Sequence, residues 1–290
     1  MAVAVVGASG FLGRALVAAL DRAGTPVSAY TRSVPFLTPG GRPEAGLASA
    51  RTVYWLATHI NPQSAEQDPG KVVADRAAFE KFLQTLRGVE PAPTIVLLSS
   101  GGTVYDPAID PPYAESARAR PLSAYGRAKV ALEGLLAERA PGRHVALRVS
   151  NAYGPGQPTA SGQGVVAHWL RAAGRGEDIR VFGDPATTRD YVYVNDIADA
   201  LVAVDGLDEE LPPAVNIGSG RPTSLGELAE TVLDVVAAPG LRVIIEQRRS
   251  FDVSQTWLDV TLAGEILRWQ PATSLRDGIG AAWAAAQGRR

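Results

Sequence analysis

The chain has 290 residues, of which 46% are hydrophobic and 20% charged, and its formal net charge is −2. A nearly neutral chain lacks the basic surface that nucleic-acid binding requires. The absence of cysteine excludes disulfides, thiolate metal sites and a cysteine nucleophile, and the three histidines stand too far apart to suggest a metal site. No apolar run reaches the roughly 18–20 residues that cross a bilayer. The first residues lack the basic start of a signal peptide, so the sequence predicts a cytoplasmic protein without a membrane partner.

The first forty residues predict a strand, a tight turn, a helix and a second strand. Residues 2–6 form an apolar run typical of a strand buried on both faces, and the run ends at Gly7. Apolar residues then recur at helical spacing over residues 11–20, until residues 24–26 read Gly-Thr-Pro. A second strand is predicted over residues 27–30. This order predicts a parallel βαβ unit.

The alternation of strands and helices continues to about residue 150. Further apolar strands are predicted over residues 52–57, 94–98 and 145–149, with helical patterns at 79–86 and 124–139 between them. We therefore expect an α/β fold with a doubly wound parallel sheet. We assign residues 1–151 and about 185–217 to a dinucleotide-binding domain, and about 152–184 and 218–290 to a smaller C-terminal substrate lobe.

The turn after the first strand carries a GxxGxxG sequence. Gly7 allows the sharp turn, Gly10 clears the approach of a pyrophosphate, and Gly13 allows close packing of helix on strand. The helix start offers free N–H groups and positive partial charge. A tight βα turn without a ligand is the alternative, but the position directly after the first strand favours dinucleotide binding. The predicted contacts to the dinucleotide here are Gly7, Ser9, Gly10, Phe11, Leu12 and Gly13.

The end of the second strand indicates which dinucleotide is bound. An acidic side chain here would bind the ribose 2′-hydroxyl of NAD. The sequence instead places Thr31, Arg32 and Ser33 here, so Arg32 can pair with a 2′-phosphate and Ser33 can add a donor. An Arg32 that merely faces solvent is the alternative. The residues favour NADP(H), and NAD(H) remains possible.

Tyr125 and Lys129 are four residues apart and therefore lie on one face of a helix. A fixed cation beside a phenol favours the ionised form, which suits proton transfer. Lys129 can also hold the ribose hydroxyls of a nicotinamide nucleotide. A plain surface pair is the alternative, but the position downstream of a nucleotide-binding turn favours catalysis.

Several segments in fixed order resemble the extended short-chain dehydrogenase/reductase family, in its nucleotide-sugar epimerase/dehydratase branch. They are GASGFLG at 7–13, Leu56-Ala57, SSGGTVY at 99–105, Tyr125 with Lys129, LRVSNAYGPG at 147–156, RDYVYV at 189–194, NIGSG at 216–220 and LRWQP at 267–271. The resemblance covers nearly the whole chain. It implies a Rossmann fold, an NAD(P)-dependent enzyme and a nucleotide-sugar substrate.

The resemblance also implies roles for single residues. Tyr125 and Lys129 match the catalytic pair, and Leu56 with Ala57 matches a cofactor contact. Asn151 matches a residue near the substrate diphosphate, and Arg189 and Arg249 match arginines that grip the pyrophosphate. Family members commonly form homodimers through the helices at 79–86 and 124–139, which we expect here.

Two departures from the family pattern bear on the reaction. Gly101 stands where the family has Ser or Thr to polarise the sugar oxygen, and we expect Thr103, or else Ser100, to replace that hydroxyl. Gly102 and Thr103 replace the Asp-Glu pair of the dehydratases, which argues against 4,6-dehydration. Residues 32–52 are too few for the usual helix, third strand and adenine-contacting Asp, so we expect a shortened adenosine side.

These features favour a nucleotide-sugar 4-ketoreductase over an epimerase. A reductase exchanges NADPH in each turnover and tolerates a looser cofactor site, whereas an epimerase must retain its NAD. Hydride from NADPH would reach C4 of an NDP-4-keto-6-deoxyhexose while Tyr125 supplies the proton. The alternatives are a UDP-hexose 4-epimerase and a non-catalytic nucleotide-binding protein of the same fold.

Overall fold

The computed structural model describes residues 2–159, 164–207, 209–246 and 255–288. The strands are β1 (Val3–Val6), β2 (Val27–Tyr30), β3 (Thr52–Trp55), β4 (Thr94–Ser100), β5 (His144–Val149), β6 (Asn151–Tyr153), β7 (Ile179–Phe182), β8 (Thr188–Arg189), β9 (Tyr191–Tyr193), β10 (Ala214–Ile217), β11 (Thr223–Ser224), β12 (Val243–Glu246) and β13 (Gln255–Thr256). The helices are α1 (Phe11–Arg22), α2 (Ala45–Ala48), α3 (Pro62–Gln67), α4 (Pro69–Thr85), α5 (Ala124–Arg139), α6 (Val165–Ala173), α7 (Val194–Val204), α8 (Leu225–Val236), α9 (Thr261–Leu267) and α10 (Leu275–Gln287).

A six-stranded parallel sheet forms the centre of the fold, in the order β10-β5-β4-β3-β1-β2. Strands β1 and β3 are buried at every position, because helices cover both faces of the sheet. Leu16 and Leu20 of α1 pack on one face with residues of α7 and α9. Phe79 and Phe82 of α4 pack on the other face with residues of α5. The predicted doubly wound α/β architecture is confirmed.

The sheet ends at β2, as the short connection to β3 predicts. In the described part of this connection the chain forms only the isolated bridge between Leu37 and Pro43 and the one-turn helix α2. No third strand pairs with the outer edge of β2 within the described residues. The adenosine side of the fold is therefore built from a loop instead of a strand.

Helices α6, α8 and α10 form a second core with the parallel pair β7 and β12. Phe11, Leu12 and Ala15 of α1 pack against this core, so α1 contacts both halves of the molecule. The helical pattern at 79–86 proves to be the last part of a longer helix, α4, whose first turn is capped by Asp68. None of the helices in the described ranges is long and apolar enough to cross a bilayer.

Candidate active site and dinucleotide cleft

A single large cleft, about 2620 Å³ in volume, opens along the carboxyl ends of the parallel strands. In open α/β sheets this edge is where ligands bind. Most of the predicted site residues line the cleft: Gly7, Ser9, Gly10, Phe11, Leu12, Gly13, Thr31, Arg32, Leu56, Ala57, Ser100, Thr103, Tyr125, Asn151 and Arg189. Two do not, Ser33 and Lys129, and Arg249 lies outside the described residues.

The glycine-rich turn is so tightly packed that side chains are excluded at two of its glycines. Gly7 has φ +96°, and a Cβ there would lie 2.6 Å from the backbone nitrogen of Ala57. A Cβ on Gly13 would lie 2.2 Å from the carbonyl oxygen of Gly7. Gly10 begins α1 without a side-chain cap, so the first N–H groups of the helix are left for a ligand. A pyrophosphate fits this cradle.

Arg32 lies past the end of β2, on the wall of the cleft. Its side chain is exposed and has no hydrogen bond or ion pair with any described residue. Thr31 and Ser33 share a hydrogen bond between their hydroxyls at 3.0 Å, and the Thr31 hydroxyl also accepts from the backbone N–H of Val34 at 3.1 Å. Ser33 lines a smaller neighbouring pocket that shares Tyr30 and Pro35 with the main cleft, and its role as a second phosphate donor stays a prediction.

Phe36 builds the wall of the cleft at the shortened adenosine side. Its ring packs edge-on against Trp55 at 6.0 Å and against Phe82 at 5.9 Å between ring centroids. Pro35 and Phe36 line the cleft together with Ala74 and Ala78 of α4. No sequence pattern pointed to this wall, because Phe36 lies in an irregular loop.

Tyr125 sits in the first turn of α5, which Ser123 caps by accepting from the backbone N–H of Gly126 at 3.0 Å. A Cβ on Gly126 would lie 2.2 Å from the carbonyl oxygen of Thr103. Gly126 therefore brings the start of α5 into backbone contact with the segment after β4. Tyr125 and Thr103 consequently share one wall of the cleft.

Lys129 lies behind Tyr125, with only 4% of its surface exposed. Its Nζ is 5.5 Å from the centroid of the Tyr125 ring and donates to the carbonyl oxygen of Leu98 at 3.5 Å. The predicted pairing with Tyr125 is present. The ammonium group contacts the end of β4 here, and its contact with a ribose stays a prediction.

A side chain at position 101 would overlap Leu258 and the backbone of β5. A Cβ at Gly101 would lie 2.5 Å from the Cδ1 of Leu258 and 2.9 Å from the carbonyl oxygen of Arg148. Ser100 ends β4, and the Thr103 hydroxyl donates to the Ser100 hydroxyl at 2.9 Å. The two candidate hydroxyls therefore form one pair beside Tyr125.

Asn151 and Arg189 lie on the substrate side of the cleft. The Asn151 side chain donates to the carbonyl oxygen of Asp190 at 2.9 Å, and Arg189 donates to the carbonyl oxygen of Thr188 at 2.8 Å. Asp190 itself is 1% exposed and accepts from Ser219 N–H at 2.7 Å, among other donors. Burial raises the pKa of Asp190, and these hydrogen bonds oppose that rise. Asp190 therefore anchors this side of the site from a buried position.

The sequence analysis did not anticipate a largely buried ion pair between α5 and β5. Glu133 lies one further turn along the Tyr125–Lys129 face of α5, and Arg148 of β5 donates to it at 2.7 Å. Burial alone would lower the pKa of Arg148, but the hydrogen bonds and the charge of Glu133 raise it above its ordinary value. The Ser99 hydroxyl, one residue before Ser100, also donates to Glu133. Glu133 follows Lys129 by four residues, as Lys129 follows Tyr125, and this spacing is the sequence signal that points to Glu133.

Comparisons with known proteins agree with this geometry. The model of the NAD dependent epimerase/dehydratase family matches residues 3–218. A UDP-glucose 4-epimerase of Mycolicibacterium smegmatis is 36% identical over 237 residues, which cover 78% of this chain and 73% of the relative. A dTDP-6-deoxy-L-talose 4-dehydrogenase (NAD(P)(+)) of Kitasatospora kifunensis is 30% identical over 305 residues, covering 98% and 95% of the two chains.

The fold is also that of solved enzymes. The crystal structure of a UDP-glucose 4-epimerase with UDP-glucose from Thermotoga maritima superposes with a TM-score of 0.83 at 25% identity, covering 100% of this chain and 99% of that one. The cleft, the glycine cradle and the Tyr125–Lys129 pair thus occur in a chain that the family model matches over most of its length. The chain belongs to the NAD-dependent epimerase/dehydratase family, a group of NAD(P)-dependent enzymes of the extended short-chain dehydrogenase/reductase type.

Proposed function

We propose that this enzyme is an NADP(H)-dependent 4-ketoreductase of a nucleoside-diphosphate 4-keto-6-deoxyhexose. The observation that carries the proposal is Arg32, which lines the cleft past β2 and has no partner among the described residues. A guanidinium group suits a 2′-phosphate, and no acidic residue directly follows β2 to bind a 2′-hydroxyl. A relative is named as a 4-dehydrogenase that uses NAD(P)+, which is the same reaction in reverse.

The residues of the cleft can carry out the proton transfer of this reduction. A bound nicotinamide dinucleotide supplies the hydride, and the glycine cradle and Arg32 would hold its phosphates. The Tyr125 hydroxyl donates its proton to the C4 oxygen as the carbon accepts the hydride, so the ketone becomes a secondary alcohol. Lys129 stabilises the negative charge left on Tyr125. The Ser100–Thr103 hydroxyl pair polarises the oxygen in place of the side chain missing at Gly101.

A UDP-hexose 4-epimerase with retained NAD is the second candidate, and the 36% identity to a UDP-glucose 4-epimerase favours it. The two candidates differ in what the purified protein contains. We would denature the protein, identify released nucleotide by chromatography, and titrate native protein with NADPH and NADH. Near-stoichiometric NAD would overturn the reductase and support the epimerase. An empty protein that prefers NADPH supports the reductase, and indifference to both supports a non-catalytic binder.

The role of Arg32 is tested by Arg32→Ala. Loss of a charge-assisted contact to the 2′-phosphate should weaken NADPH binding by roughly tenfold to a hundredfold and leave NADH binding unchanged. Arg42→Ala is the matched control, since Arg42 is an exposed residue of the same connection that does not line the cleft. Equal losses for NADPH and NADH in Arg32→Ala would contradict a 2′-phosphate site.

Tyr125→Phe separates an enzyme from a binder. Removing the proton donor should slow reduction of a 4-keto sugar nucleotide by about 10²- to 10⁴-fold. NADPH affinity, measured by fluorescence titration, should remain close to that of the unmodified protein. Undiminished turnover in Tyr125→Phe would exclude this residue as the proton donor.

A further inference from the structure

Arg14 joins two loops that belong to different parts of the cleft. Its Nη1 donates to the carbonyl oxygen of Ser9 at 2.6 Å, and its Nη2 donates to the carbonyl oxygen of Gly156 at 3.0 Å. Ser9 belongs to the glycine-rich turn, whereas Gly156 follows β6 on the substrate side. One guanidinium group therefore spans the cofactor loop and the substrate loop.

The residue after Gly156 continues this connection into the substrate side. Gln157 lines the cleft, and its Nε2 donates to the carbonyl oxygen of Ala152 at 2.7 Å. Its side-chain amide also packs on Gly164, where a Cβ would lie 2.6 Å from the Gln157 Cδ. Gly164 is the N-cap of α6, a helix whose side chains line the cleft. Gly156 and the start of α6 are thus linked by direct contacts through Gln157.

The charge of Arg14 has no counter-ion within the described chain. It makes no ion pair there, and the first turn of α1 contains no acidic residue. A cation near the amino end of a helix is disfavoured by the helix dipole. An anion bound at the glycine-rich turn would offset this cost, because its negative charge would be close to the helix start and to the guanidinium, whose partner Ser9 belongs to that turn.

We propose that Arg14 is a positioning residue that couples the two ligand sites. A dinucleotide whose pyrophosphate binds the glycine-rich turn holds Arg14 in place. Arg14 in turn holds Gly156 and the contact between Gln157 and α6, and this tightens the binding of a nucleoside diphosphate. Coupling of this kind is reciprocal, so the second ligand also tightens binding of the first. The inference rests on the proposed function in one respect, which is that the protein must bind both a dinucleotide and a nucleoside diphosphate.

The test is a set of calorimetric titrations with UDP and with dTDP, each with and without saturating NADP+. In the unmodified protein, NADP+ should tighten binding of the preferred diphosphate by about threefold to tenfold, the effect of one or two exposed hydrogen bonds. Arg14→Met keeps the length of the side chain without its donors, and the coupling factor should fall to about one. Arg14→Lys should retain part of the coupling, since its ammonium can still donate.

Arg22→Met is the matched control on the same helix, because Arg22 is exposed and lies 4.0 Å from Asp199, away from both loops. It should keep the full coupling. Equal coupling in Arg14→Met and the unmodified protein would overturn the proposal, as would weaker binding of both ligands with the coupling factor unchanged. Coupling that is absent from an unmodified protein that binds both ligands also overturns it, whereas failure to bind NADP+ contradicts the proposed function itself.

Discussion

The two ends of the dinucleotide cleft are built in opposite ways. At the glycine-rich turn, backbone packs on backbone, and a Cβ at Gly13 would lie 2.2 Å from the Gly7 carbonyl oxygen. At the adenosine side no strand of the described chain pairs with the outer edge of β2, and Phe36 fills the wall by packing on Trp55 and Phe82. One end depends on the absence of side chains and the other on the presence of one. The glycine-rich turn should therefore tolerate almost no substitution. At the adenosine side, substitutions should reduce stability and cofactor affinity gradually.

The largest effect is expected from Gly13→Ala. The added methyl group overlaps backbone atoms that no side-chain rotation can move, so the free energy of unfolding should fall by about 3 kcal/mol or more. Gly134→Ala is the control, since Gly134 lies in α5 with nothing within 4 Å of its added Cβ. That variant should gain about 0.5–1 kcal/mol. Urea unfolding measures both, and a Gly13→Ala protein of normal stability would show that the turn is not closely packed.

Phe36→Ala should have an intermediate effect, because Phe36 is only partly buried. We expect the free energy of unfolding to fall by about 1–3 kcal/mol, with a several-fold loss of NADPH affinity. Val34→Ala controls for changes in the same loop, since Val34 is 53% exposed and should cost less than about 0.5 kcal/mol. Unchanged NADPH affinity in Phe36→Ala would mean that the adenosine side does not use this wall.

The smallest expected effect is a change in how stability depends on pH, and it comes from Tyr30 at the end of β2. Burial raises the pKa of Tyr30 above its ordinary value, with Ser28 opposing the rise. The folded protein therefore keeps this proton to higher pH than the unfolded chain, and the resulting stability is present below about pH 10 and lost as the pH rises through the folded pKa. Tyr30→Phe should lose less stability than the unmodified protein when urea unfolding is compared at about pH 9 and pH 11. Identical losses would exclude this contribution.

The sequence predicts the backbone-built features best. Glycine spacing, the apolar run before Gly7 and the four-residue interval from Tyr125 to Lys129 all depend on residues close together in the chain, and local geometry determines what they do. The lack of a further strand in the described connection between β2 and β3 follows from the small number of residues in that connection. Features built by residues far apart were missed, because no local pattern links Phe36 to Phe82 or Glu133 to Arg148. The burial of Lys129 against Leu98 was missed for the same reason.

The leucine beside Gly101 constrains how this enzyme can evolve. A hydroxyl-bearing side chain at position 101 requires a Cβ that would lie 2.5 Å from Leu258, a residue that is 1% exposed and fixed in its own apolar cluster. A change of Gly101 to serine therefore meets a steric barrier, and shrinking Leu258 would open a cavity while the Arg148 carbonyl oxygen still lay 2.9 Å from the new Cβ. The space at position 101 is closed by a side chain on one side and by backbone on the other, so a hydroxyl-bearing side chain requires both neighbours to move.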